Sequence, residues 1–191
     1  MLLRSRGVPA LVRTAVLFAA LSGARCFDSA PDASLQTSLF KQAQPPRELA
    51  SGDTLAPGDE LYLTVMAHRA RYLYVVSEDA AGERLLLYPC RTWGPSRPLG
   101  AGRRYRLPPP VLGRPAFWPV GSVTSRERLR VVASVRPLDP LERAVRSAAD
   151  APPCAIPVLA EANRWLDGLI RRHGEDVSIS TYELAGRASH G

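Results

Sequence analysis

At 191 residues the chain is long enough for one well-cored domain with terminal extensions and too short for two ordinary domains. Its formal charge is +7, but Arg4, Arg6 and Arg13 sit in a segment expected to be removed, which leaves +4 on the mature chain, too small an excess for a nucleic-acid binder. Of the 25 basic residues only Lys41 is lysine, a bias spread along the whole chain that fits the habit of a GC-rich bacterial genome better than selection for phosphate forks.

The first 24 residues read as a secretory signal peptide: basic Arg4 and Arg6, an apolar run from Thr14 to Leu21, then the small residues Ser22-Gly23-Ala24. Arg13 leaves the uncharged run well short of the ~20 residues that span a bilayer. Three processing outcomes stand: cleavage before Arg25, lipidation at Cys26, whose preceding Leu-Ser-Gly-Ala resembles a lipoprotein box spoiled by Arg25, or an uncleaved anchor. Residues 25–48 are expected to form a flexible tether or loosely docked arm, with a brief apolar Leu39-Phe40.

The folded body is expected from residue 49. Pro57-Gly58-Asp59 is a turn signal, and the alternation of Leu61, Leu63 and Val65 after it predicts a strand. Arg71–Ser77 and Leu85–Tyr88, joined across Gly82, predict a hairpin. Arg104–Leu107 is a short strand ended by Pro108, Pro109 and Pro110, and Arg128–Ser134 is a central one.

Beyond it the period changes. Asp139-Pro140-Leu-Glu142 marks a helix start, with Asp139 as the cap. A second helix is predicted from about Pro157 to His173-Gly174, and Val177–Leu184 alternates as a final strand. These elements predict a mainly β fold with α content: an antiparallel β-sandwich-like domain over 49–136, then a helical extension over 137–191 holding two C-terminal helices and a last strand that packs on the sheet.

Leu55-x-x-Gly58-Asp59-x-Leu61, Tyr72-Leu-Tyr-Val-Val, Gly82, Leu87-Tyr-Pro89, Leu99-x-Ala101-Gly102, Leu107-Pro108, Pro119-x-Gly121, Val131-Val-Ala-Ser134 and Pro137-Leu138 together resemble the bacterial domain of unknown function 4384, over about 49–138. The resemblance implies an extracytoplasmic β-rich module that serves sensing or binding in exported proteins or beside kinase-like and peptidase-like domains. It brings no catalytic residues. Cys90 beside Pro89 and the Arg-rich strands depart from the family's pattern.

No nucleophile–base motif, phosphate-binding glycine loop or cofactor motif is present, and the absence of Cys-x-x-Cys removes a zinc-ribbon or thioredoxin reading. His68, His173 and His190 lie in no catalytic context, and His173-Gly-Glu-Asp176 is explained by a helix C-terminus. Cys90 and Cys154 either pair in an oxidising compartment or remain buried thiols.

Arg69 and Arg71, Arg104 and Arg106, and Arg126, Arg128 and Arg130 recur at two-residue spacing, which puts each set on one strand face. If the strands are neighbours these arginines make an anion-binding patch; otherwise they are the solvated face of a half-buried sheet. Of the aromatics Tyr62, Tyr72, Tyr74, Tyr88, Tyr105, Trp93 and Trp118, most are expected to pack in strands. Phe117-Trp118 is the expected contact loop. The function expected is an exported, non-catalytic binding module of the periplasm or cell surface, with an envelope protein or anionic polymer as partner. The alternative is an envelope hydrolase.

Overall fold

A computed structural model describes residues 35–90, 96–121, 126–148, 155–158, 160–171 and 176–186. The signal-peptide segment, Cys26, Trp93, Cys154, His173 and His190 lie outside the described residues. In chain order the elements are β1 (Leu35–Lys41), β2 (Arg47–Leu49), β3 (Thr54–Leu55), β4 (Glu60–Ala67), β5 (Tyr72–Glu78), β6 (Arg84–Tyr88), β7 (Arg104–Leu107), β8 (Trp118–Pro119), β9 (Arg126–Ser134), α1 (Asp139–Ser147), β10 (Ile156–Pro157), α2 (Ala160–Arg171) and β11 (Val177–Gly186).

The strands form two sheets. Sheet A has the order β2-β1-β4-β7, with β8 pairing the start of β4; sheet B has the order β10-β6-β5-β9-β11-β3. Pairings are antiparallel except for the short parallel contact of β3 with the end of β11. The expected antiparallel sandwich with two late helices and a returning strand is the observed fold. The last strand, β11, lies along β9 from Val177 opposite Ser134 to Ala185 opposite Arg126.

Alternation along each strand decides the layers. Leu61, Leu63, Val65 and Ala67 of β4 and Leu35 and Leu39 of β1 meet Leu73, Val75, Leu129, Val131 and Ala133 of sheet B in one core between the sheets. Tyr74, Val76, Leu86 and Val132 point the other way and pack under Leu141, Ala144, Val145, Ala162 and Leu166 of the helices. The described residues thus form three layers, sheet A, sheet B and helices, with the second core keeping water from the part of sheet B's outer face around Tyr74, Val76, Leu86 and Val132.

Two expectations are corrected. Residues 35–41, placed in a flexible tether, form β1, which pairs with β4 along its length from Leu35 opposite Ala67 to Lys41 opposite Leu61. Leu35 and Leu39 are buried while their neighbours are not, so the segment carries a strand's alternation despite its polar composition. The start of α1 also differs. Leu138 occupies the cap position and no side chain caps the helix; instead the Tyr74 hydroxyl accepts the Leu138 N–H at 2.9 Å and donates to Glu142 Oε1 at 2.6 Å. Glu142 therefore anchors the helix to β5 rather than reaching back to its own cap, and Ser96 adds a hydroxyl bond to the same oxygen. Burial, then the Glu142 contact, pushes the Tyr74 hydroxyl pKa up.

Candidate binding face

Because Leu61, Leu63 and Val65 turn into the core, Tyr62, Thr64 and Met66 stand on the outer face of sheet A, beside Phe40 and Ser38 of β1 and Arg104 and Arg106 of β7. Among the described residues no helix covers this face. Phe40 lies directly opposite Tyr62 in the β1–β4 register, and the rings stack with centroids 5.0 Å apart and planes within 10°. Phe117, arriving just before β8, meets Tyr62 edge-on at 6.1 Å.

The Arg106 guanidinium sits against both rings, its Cζ 4.4 Å from the Tyr62 centroid and 4.7 Å from that of Phe117. Its Nη1 donates to the Ala116 carbonyl at 2.8 Å and to the Pro108 carbonyl at 3.2 Å. Burial draws the Arg106 pKa down, with nearby Tyr62 opposing. A guanidinium still stays charged at any physiological pH. Arg106 thus fixes both ends of the 108–116 loop and joins it to the aromatic row, while Arg104 extends exposed one step along the same face.

The arginines of β9 have a different setting. Arg126, Arg128 and Arg130 share the helix side of sheet B, since Leu129, Val131 and Ala133 face the other core. Glu78 accepts from Arg128 at 2.5 Å, from Arg84 at 2.6 Å and from Arg130. Glu183 accepts from Arg126 at 2.5 Å and from Arg128 at 3.1 and 3.2 Å. Arg84 also binds Asp167 of α2 at 2.6 Å.

Burial alone would raise the Glu78 pKa, but the bonds from Arg130 and Arg84 outweigh it and hold the carboxyl at about 2. The two candidate arginine groups lie on opposite outer faces of the sandwich, so they do not form one patch. Arg71 is buried and donates to the Asp176 carbonyl at 2.8 Å, which separates it from exposed Arg69.

Of the expected contact loop, Phe117 takes part in the open face, but Trp118 is only 5% exposed and belongs to the inter-sheet core, paired with Leu61. Strand alternation separates the two neighbours: one ring faces out, the next faces in. Sequence reasoning misses Phe40 because the polar composition of 25–48 hides its strand; the apolar pair Leu39-Phe40 is the signal the sequence offers. His68 is exposed in the turn after β4. Cys90 is fully buried and disulfide-bonded, while its expected partner Cys154 lies outside the described residues.

A small cleft of about 260 Å³ beside β2 and β3 is lined by Lys41, Arg47 and Asp53 among others. Its cations are already matched, Lys41 to Asp59 at 2.7 Å and Arg47 to Asp53. No described group of His, Cys, Asp and Glu could hold a metal ion. No described helix is long and apolar enough to cross a membrane.

No curated protein and no solved structure matches the chain. Residues 54–137, running from β3 to the approach to α1 and holding Tyr62, the Arg106-clamped loop and the β9 arginines, match the family described as Domain of unknown function (DUF4384), which bears out the resemblance over that segment.

Proposed function

We propose that the chain is an exported, non-catalytic binding module of the bacterial cell envelope, and that the uncovered face of sheet A receives an anionic polymer or an envelope protein. The observation that carries this reading is the row Phe40, Tyr62, Arg106 and Phe117, half-exposed and held in place by β-sheet pairing and by the Arg106 clamp. Ordered rings offer a flat stacking surface at little entropic cost on binding, and exposed Arg104 adds a fork for carboxylate, phosphate or sulfate. The N-terminal segment, read from its sequence as a secretory signal peptide, supports export.

Titration with dextran sulfate at two salt concentrations tests the reading. Tyr62→Ala and Arg104→Ser are each expected to weaken binding about tenfold, the equivalent of about 1.4 kcal/mol. Arg128→Ser, on the opposite face, should leave affinity nearly unchanged. Equal losses in Arg104→Ser and Arg128→Ser, with none in Tyr62→Ala, would assign binding to general positive charge and sink the open-face reading. Turnover of a glycan or peptide substrate that is lost in His68→Ala would establish the hydrolase alternative.

A further inference from the structure

The loop that Arg106 clamps forms a finger. Val111 and Arg114 exchange two backbone hydrogen bonds, both 2.9 Å, and close a two-residue turn over Leu112 and Gly113. Both central residues have positive φ, +50° at Leu112 and +76° at Gly113, the pattern of the mirror-image turn that hairpins favour. Gly suits the second position, but the first ordinarily takes Asn, Asp or Gly; leucine there is held in a conformation its Cβ resists.

Among the described residues no side-chain burial at Leu112 offsets that strain, because Leu112 is 97% exposed and Val111 is 38% exposed beside it. An isolated exposed leucine is ordinary, whereas one held at a turn position that disfavours it, on a loop stiffened by Pro108, Pro109 and Pro110, calls for a cause outside the folded chain.

Charge supplies the second observation. Between Glu83 and Glu127 the sequence holds no Asp or Glu, and every charged residue there is arginine. Arg114 closes the finger's turn, and Arg97, Arg103 and Arg104 are exposed before and along the strand that leads into it. None of these four has an ion pair among the described residues.

We propose that the 108–116 finger is a membrane-contact element that places Val111 and Leu112 in the interfacial layer of an anionic phospholipid bilayer, with Arg114 and the neighbouring arginines on the headgroups. An anionic bilayer meets both features at once, since it offers negative charge at the surface and an apolar layer directly beneath. The three residue steps from Pro108 to Val111 reach roughly 10 Å, comparable with the ~5–10 Å depth of the headgroup and acyl boundary.

The test is partition of the full chain, wild type and variants, onto phosphatidylglycerol-containing vesicles and onto pure phosphatidylcholine vesicles. Leu112→Asn suits the turn better than leucine and so keeps the fold, yet it is expected to lower partition onto the anionic vesicles about tenfold. Arg114→Ser should lower it several-fold, with the wild-type advantage shrinking at high salt. Both variants keep the same N-terminal segment, so the differences report the finger.

In Leu112→Trp, brominated acyl chains should quench fluorescence beyond the quenching seen in wild type. Equal partition of wild type and Leu112→Asn, no preference for the anionic vesicles, or no added quenching each overturns the proposal. Loss of a Leu112-dependent dimer in solution, with vesicle binding unchanged, would reassign the finger to protein contact and overturn it as well.

Discussion

The two outer faces of the sandwich carry arginines at the same two-residue spacing, yet those arginines meet different fates. On sheet B, Arg128 lies in register between Glu78 of β5 and Glu183 of β11, so its charge is matched on both sides. On sheet A, Arg104 lies opposite Met66 and Arg106 opposite Thr64, so neither meets a carboxylate. Arg106 turns to carbonyls and rings instead, and Arg104 stays in solvent. Spacing along one strand sets which face a cation occupies; the neighbouring strand's register sets whether it is matched by a carboxylate or left open to solvent.

The largest effect expected from breaking this contrast is at Glu78. Its side chain is 9% exposed and holds Arg84, Arg128 and Arg130. Glu78→Gln would leave Arg84 and Arg130, each 10% exposed, without this carboxylate, and stability measured by denaturant titration should fall by about 3–5 kcal/mol. A loss under about 1 kcal/mol would mean that the cluster behaves as surface charge.

Acid should reproduce part of the same loss. The folded-state carboxyl is held at about 2, below its ordinary 4.5, so its contribution is complete above about pH 4.5 and fades as the pH drops toward 2. In Glu78→Gln that portion of the acid sensitivity should vanish, which a pH series of both proteins would reveal.

The helix-covered side should also depend on Cys90, which sits in the core beneath the helices. Cys90→Ser is expected to lower stability by about 2–4 kcal/mol. Cys154→Ser should match it, and the double variant should lose no more than either alone. If Cys26→Ser behaves that way instead, peptide mapping under non-reducing conditions would place the bridge at the N-terminus and overturn the Cys90–Cys154 expectation.

The main strands and both helices were legible because their signals are local. The Leu61, Leu63, Val65 alternation and the Pro140 start each declare an element without reference to the rest of the chain. What was not legible depends on partners distant in sequence. β1 is too polar to announce itself and is a strand because β4 lies beside it. The two-residue strands β3, β8 and β10 exist only as pairings with β11, β4 and β6.

The same limit governed the site. Arg104, Arg106 and Phe117 are legible as candidates in the sequence, but joining Arg106 to Phe117 and adding Phe40 requires the register of three strand pairings. Separating Arg126, Arg128 and Arg130 from them required knowing that β9 belongs to the other sheet.

The smallest expected effect has the opposite sign and bears most directly on the open side. If Leu112 makes no favourable contact in the folded protein, replacing it with a residue that tolerates left-handed backbone should relieve strain and remove no burial. Leu112→Asn should therefore raise stability by about 0.5–1 kcal/mol, visible as a melting temperature higher by roughly 1–4 °C. Glu78→Gln and Cys90→Ser subtract from the fold because the helix-covered side is satisfied internally, whereas a gain at Leu112 would mark a residue kept at the fold's expense. A loss of stability in Leu112→Asn would mean that the leucine packs within the folded chain, and the contrast between a self-satisfied face and an outward-directed one would fail at its most exposed point.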